Sequence, residues 1–231
     1  MNTTFDGFPK EMFRFLSDLA GNNNREWFSN NKDRHEDFVV APVTRFIEVV
    51  GEFLPTLSDA YVADTRRNGG SMFRIYRDTR FSKDKRPYKE NVGCQFRHTA
   101  GKNAHAPGFY VHLAPAEVFF GGGIWKPDNN SLDKIRNHIA GNPEQWSSVI
   151  NNTAFLNYFG KLQGESLKRP PRGFDPIDPH IEDLKRKSHI AFRHVKPQCA
   201  RTPAFINEVE KAFTTAMPLM RFITSALEIR N

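Results

Sequence analysis

Apolar positions recur with two different periods along the chain, and together they predict helices, then strands, then helices. From Phe8 to Leu57 the spacing is helical. Phe8, Met12, Phe15, Leu16 and Leu19 form one stripe behind Pro9, which suits a first helical position. Gly21 and Asn22-Asn23-Asn24 end that helix, and Asn24 can cap a second, which carries Trp27, Phe28, Phe38 and Val39. Pro42 opens a third, with Val43, Phe46, Ile47, Val50, Phe53, Leu54 and Leu57 on its stripe. From about residue 71 the period becomes two. Phe73, Ile75 and Arg77 share the presumed core phase, and Arg74 and Tyr76 take the other. Val92, Cys94 and Phe96 form a second alternating set. Phe109, Val111 and Leu113 form a third, with Tyr110 and His112 on its opposite face, and Val118 to Phe120 a fourth. Short strands joined by tight links predict an antiparallel sheet, with residues 98–107 as a mobile loop.

Helical signals return after Gly121-Gly122-Gly123. One helix is predicted from about Ser131 to Ala140, capped by Asp128, Asn129 or Asn130 and ended by Gly141. Pro143 opens another. Residues 164–177 read as a short strand and a stiff loop, residues 178–187 as a helix, and Ile190 to Val195 as a strand. A last helix starts at Thr202-Pro203 and carries Phe205, Ile206, Val209, Phe213, Met217, Met220 and Ile223; Pro218 should kink or split it. This order predicts an α+β fold: a central, mainly antiparallel sheet with flanking helices, a helical N-terminal region and a long C-terminal helix. One domain is expected over residues 1–231, helical at about 8–60, strand-rich at about 71–120 and helical at about 129–231.

Composition narrows the class. A hydrophobic share of 39% with 21 phenylalanines supplies a packed core. No apolar run of about 18 residues exists, which excludes a spanning helix, and the first residues lack a basic-then-apolar leader pattern. Cys94 and Cys199 match no metal spacing and read as reduced, buried residues of a cytoplasmic protein. No membrane partner is expected, and the sequence specifies no cofactor or protein partner.

Charge changes the picture more. The net +7 is uneven: residues 65–102 hold 11 basic and 3 acidic side chains, whereas residues 1–64 hold 6 basic and 11 acidic. The run from Phe73 to Asn91 gathers Arg74, Arg77, Arg80, Lys83, Lys85, Arg86 and Lys89 among aromatics. Such a field suggests an anionic ligand. Arg77, on the presumed core face, needs a carboxylate or a ligand. Arg77 and Arg80 suit forked phosphate contacts, Lys83, Lys85 and Lys89 supply point charges, and Tyr88 or Trp125 can stack a ring. Asp78 would orient an arginine or act as a base. Lys168 and Arg169, before Pro170-Pro171, form a second cationic patch.

Other signals carry less. Gly121-Gly122-Gly123 lacks the Lys-Ser/Thr of a phosphate loop and reads as room for a turn and for close packing of Trp125. Asp78, Asp84, Glu90, Glu117 and Glu165 show no metal-nuclease spacing. His98, His105 and His112 recur every seven residues, but His98 and His105 fall at or in the polar loop. No nucleophile elbow is present.

Four pieces resemble the bacterial domain-of-unknown-function family 2461: Asn23-Asn24-Arg25-Glu26-Trp27-Phe28; Arg77 through Lys89, read Arg-Asp-Thr-Arg-Phe-Ser-Lys-Asp-Lys-Arg-Pro-Tyr-Lys; Phe120-Gly121-Gly122-Gly123-Ile124-Trp125-Lys126-Pro127 with Ile135-Arg136 downstream; and Leu167 through Phe174. The resemblance runs from about Phe5 to Leu227. It implies a single soluble bacterial domain and no particular activity. Asp178-Pro179-His180 stands where the family has Asp-His-Pro, which weakens any role for that histidine. The leading expectation is binding of a phosphate-bearing anion (a nucleotide, a phosphorylated metabolite or nucleic acid) by residues 74–89. The alternatives are an enzyme acting on a small anion near Arg77 and Asp78, and a protein-interaction module.

Overall fold

A computed structural model describes residues 4–101 and 106–229. Strands β1 (Tyr61–Val62), β2 (Val92–His98), β3 (Gly108–Leu113), β4 (Val118–Ile124) and β5 (His189–Val195) lie in chain order, each antiparallel to its neighbour. Helices α1 (Lys10–Gly21), α2 (Arg25–Asn30), α3 (Lys32–His35) and α4 (Ala41–Leu57) precede the sheet. Helices α5 (Asn129–Gly141), α6 (Pro143–Ile150), α7 (Thr153–Phe159) and α8 (Ile181–Leu184) separate β4 from β5, and α9 (Phe205–Ala226) follows. The fold is α+β, as the periodicity predicts.

One face of the sheet is the core wall. The register sets Cys94 opposite Val111, Val111 opposite Phe120, and Phe96 opposite Phe109. All five are fully buried. Helix α9 lies across them: Phe213 stacks on Phe109 with centroids 4.3 Å apart, and Phe205 meets Phe120 edge-on at 5.4 Å. Phe46 of α4 joins Phe5, Phe8 and Phe205 in one aromatic cluster. Rings that interlock edge to face fill such a space densely.

Several expectations change. The three glycines do not form a turn: β4 runs through them to Ile124, because each position faces an obstacle to a side chain. A Cβ at Gly122 would lie 2.9 Å from the Phe109 ring and 3.1 Å from Met220 Sδ, so its absence lets α9 sit close; at Gly121 it would lie 2.0 Å from the Ala191 carbonyl oxygen. Residues 71–77 make only isolated bridges, Met72 with Cys94 and Tyr76 with Tyr88. Phe73 and Ile75 therefore do not share a face. Phe73 lies against Tyr110, whereas Ile75 packs on the core. Pro42 stands in the first turn of α4, as its position predicts, but α4 is continuous with the turns before it. A π turn (Glu36–Val40) joins α3 to α4, with the Ala41 N–H donating to the Glu36 carbonyl. Proline at 42 has no N–H to place, which removes one demand at that junction. Pro218 does not split α9.

Smaller differences concern boundaries. Asp128 is the cap of α5 and accepts from the Ser131 N–H, and α7, which the spacing misses, is capped by Asn152. Residues 164–177 contribute one bridge, Ser166 with Arg186, and the helix predicted over 178–187 is limited to α8. Cys94 is buried, but Cys199 is only half-buried; both are free. Residues 102–105, within the predicted loop, lie outside the described residues.

Candidate functional site

The basic run folds as a hairpin arm on the outer edge of β2. The Phe73 N–H donates to the Gly93 carbonyl, the Arg77 N–H to Pro87, and the Lys89 N–H to Ile75. Its base is clamped by Asn23, whose amide donates to the Tyr88 carbonyl and to Glu90 while its oxygen accepts from the Tyr88 N–H. The buried Tyr88 ring also stacks on Phe28 of α2.

Two Asp-x-Arg turns build the tip. Asp78 accepts from both the N–H and the guanidinium of Arg80. Asp84 does the same for Arg86, and its Oδ2 also takes Arg77 Nη1 at 2.6 Å. Short aspartates bond their own backbone two residues on, and the arginine fork completes a charge-assisted pair. Arg80 therefore holds the Asp78 carboxyl below the usual carboxylate range, and Arg86, with Arg77, lowers Asp84 further. A carboxylate so stabilised is a poor base. Arg77 is half-buried on the arm rather than set in the core, and it has a protein carboxylate as its partner.

Four cations of the arm have no carboxylate partner among the described residues. Arg74 and Lys83 are exposed, Lys85 Nζ donates to the Thr79 carbonyl, and Lys89 Nζ to the Arg74 carbonyl at 2.6 Å. Burial lowers the Lys89 pKa, and the Arg74 charge lowers it further. Lys89 Nζ also lies 5.4 Å from the centre of the Phe73 ring, at the junction of arm and sheet.

Beyond Phe73 lies the second face of the sheet. It carries Gln95, Tyr110, His112, Phe119 and Phe192, half-buried. Tyr110 meets Phe73, Phe119 and Phe192 with centroids about 6 Å apart, and Phe119 lies flat against His112 at 4.6 Å. Phe73, Tyr110, Phe119 and Phe192, without His112, line a cavity of about 540 Å³, bordered also by Gly108, Gly123, Trp125 and Lys126. Burial pushes the Tyr110 hydroxyl up to about 12, so it stays neutral, sharing a hydrogen bond with His112 Nδ1 at 3.2 Å. Trp125 is 58% exposed on a turn where Lys126 adopts φ 41° and its N–H donates to Ser188 Oγ. Lys126 is shared with Glu165, which also pairs with Lys187.

The sequence-predicted residues thus divide into separate groups. Trp125 borders the aromatic cavity, Lys89 reaches it through the Phe73 ring, and Arg74 lines a separate small hollow with His35, Val40 and Tyr76; Lys83, Lys85, Arg80 and Asp78 form the tip; Tyr88 is a structural anchor. Lys168 and Arg169 are exposed beyond the outer edge of β5, where Gln163 bridges Ile190 and Ser166 bridges Arg186. The two cationic patches therefore occupy opposite edges, about 14 Å or more apart across three strand spacings. The residues that the local pattern misses are Gln95, Tyr110, Phe119 and Phe192, and Phe73 lies on the open face rather than the core face. Their signal is apolar residues in both phases of β3, β4 and β5, which calls for two covered faces when helices cover only one. Among the described residues no three His, Cys, Asp or Glu are placed to hold a metal, and no helix is long and apolar enough to cross a membrane. His105 lies outside the described residues.

An antiparallel sheet with a helical core on one face and an aromatic cavity on the other defines the structural class. The chain belongs to the family described as Conserved hypothetical protein (DUF2461), which it matches over residues 11–222. No curated protein matches the chain.

Proposed function

We propose that the open face of the sheet binds a phosphate-bearing ligand that also carries an aromatic ring, a nucleotide or a nucleic-acid base. The ring occupies the cavity and the phosphate lies at the junction with the arm. The observation that carries this reading is the neighbouring pair Arg74 and Lys89 beside Phe73. Two cations without a carboxylate partner, one of them desolvated, disfavour each other, and an oxyanion between them relieves that repulsion.

The adjoining walls suit a planar ring. Phe73, Tyr110, Phe119, Phe192 and Trp125 border the space, and Gln95 offers both a donor and an acceptor to a ring edge. A phosphorylated metabolite without a ring would leave these walls unused. An enzyme centred on Arg77 and Asp78 gains no support from the geometry, since each is already held in an ion pair.

The test uses Trp125 fluorescence. AMP should change it saturably, and ribose 5-phosphate should bind at least about tenfold more weakly, because stacking is worth about 1–3 kcal/mol. The double variant Arg74→Ala/Lys89→Ala should lose AMP binding. Equal affinities for the two phosphates, or no response to either, would overturn the reading.

A further inference from the structure

We infer that the ligand of the open face is a single-stranded nucleic acid and that Phe81, at the end of the basic arm, stacks on one of its bases. This rests on the reading of the open face as a site for a ring-bearing phosphate ligand and extends it from a nucleotide to a polymer.

Phe81 is 96% exposed, the most exposed large apolar side chain among the described residues. A single exposed apolar residue is ordinary on a protein surface. This one stands on a tip that the sequence goes to some length to fix. Asp78 and Asp84 each close a turn, Arg77 crosses from one limb of the arm to the other, and Asn23 clamps the base. Those bonds neutralise Arg77, Arg80 and Arg86. The tip cations without a carboxylate partner are Lys83 and Lys85, two and four residues beyond Phe81, and the Arg80 guanidinium lies 5.9 Å from the ring centre.

An exposed ring beside a guanidinium, on a tip that also carries two lysines without carboxylate partners, matches a base flanked by phosphates: the π face takes the base and the cations take the backbone. The cations also continue inward, from Lys83 and Lys85 at the tip to Arg74 and Lys89 at the base, where Phe73 begins the aromatic face. Phe73 and Phe81 are eight residues apart, at most about 28 Å along the chain, or about eight nucleotides at stacked spacing. That falls within the roughly 4–16 nucleotides that sheet-based single-strand sites span. A lipid surface also accepts an aromatic side chain, but stable attachment takes more than one small apolar anchor. The aromatic face behind the arm has no counterpart in that arrangement.

The experiment measures anisotropy of fluorescein-labelled dT12, binding of AMP, and sedimentation with vesicles of phosphatidylserine and phosphatidylcholine. The proteins are the wild type, Phe81→Ala and Phe81→Trp. Unchanged melting temperatures confirm that the exposed position tolerates both changes. The expected result is that dT12 binds at least about tenfold tighter than AMP. Phe81→Ala should weaken dT12 about fivefold or more without altering AMP binding, and Phe81→Trp should restore dT12. Four results overturn the inference. Phe81→Ala without effect on dT12, or dT12 no tighter than AMP, would confine the ligand to the cavity and leave the site reading intact. Loss of AMP and dT12 binding together, at low salt, would remove both. Vesicle binding that depends on Phe81, without dT12 binding, would assign the arm to a membrane surface.

Discussion

Tyr88 stacks on Phe28 with ring centroids 4.3 Å apart and planes 24° apart, and this contact fixes the basic arm to the N-terminal helices. Both residues are buried. Tyr88→Ala should destabilise the protein by about 3 kcal/mol, in the range for removing a buried aromatic ring. Urea unfolding checks this, with Tyr88→Phe, which keeps the stack, close to wild type.

The arm should open without global unfolding when its central carboxylate is removed. Asp84 holds both Arg77 and Arg86 at the surface, so Asp84→Ala leaves the melting temperature nearly unchanged. Limited trypsin digestion should then cut at Arg80, Lys83 or Lys85 much faster than in the wild type. Equal digestion rates would show that the arm does not depend on Asp84.

Gly122→Val should destabilise by about 2 kcal/mol, because the added carbon atoms meet Phe109 and Met220 in a filled core. A paired change, Met220→Ala, should recover part of the loss, and a double-mutant cycle of melting curves measures the coupling.

Stability should fall as pH drops from about 6.5 to about 4. Burial lowers His35 and His189 to about 4. In the unfolded chain each takes its proton near pH 6.5, while the folded protein refuses it until about pH 4. The unfolded state therefore binds more protons throughout that window, and stability is lost as pH falls through it. For fully buried His189 the loss is on the order of 3 kcal/mol. Urea midpoints between pH 7 and pH 4 check the slope, which should be shallower in His189→Asn.

The sequence displays its helical core well because that core depends on residues near one another in the chain. Most residues on the stripes of α1, α4 and α9 are buried, while Phe53, Leu57 and Ile206 pack half-buried at the rim of the core. Where local pattern fails, a distant contact decides. The glycines at 121–123 look like a turn until β5 and Met220 occupy the space beside them. Phe73 and Ile75 look like partners on one face until the irregular chain between two bridges separates them. The site divides in the same way. The arm is legible because its charges are contiguous. The aromatic face is assembled from β3, β4 and β5, and only the register brings Tyr110, Phe119 and Phe192 together.

The chain-order sheet also governs how the protein emerges from the ribosome. Strands β1 to β4 are complete by residue 124, yet the wall they form from Phe96, Phe109 and Phe120 waits for α9, whose Phe213 and Phe205 close it. For the roughly 80–100 residues synthesised between the end of β4 and the completion of α9, the nascent sheet therefore lacks the helix that closes its apolar side. At about 5–20 residues per second that interval lasts on the order of 4–20 s. A break in translation before residue 205 would leave a sheet-forming fragment without the helix that hides it, a natural client for chaperones and a seed for aggregation.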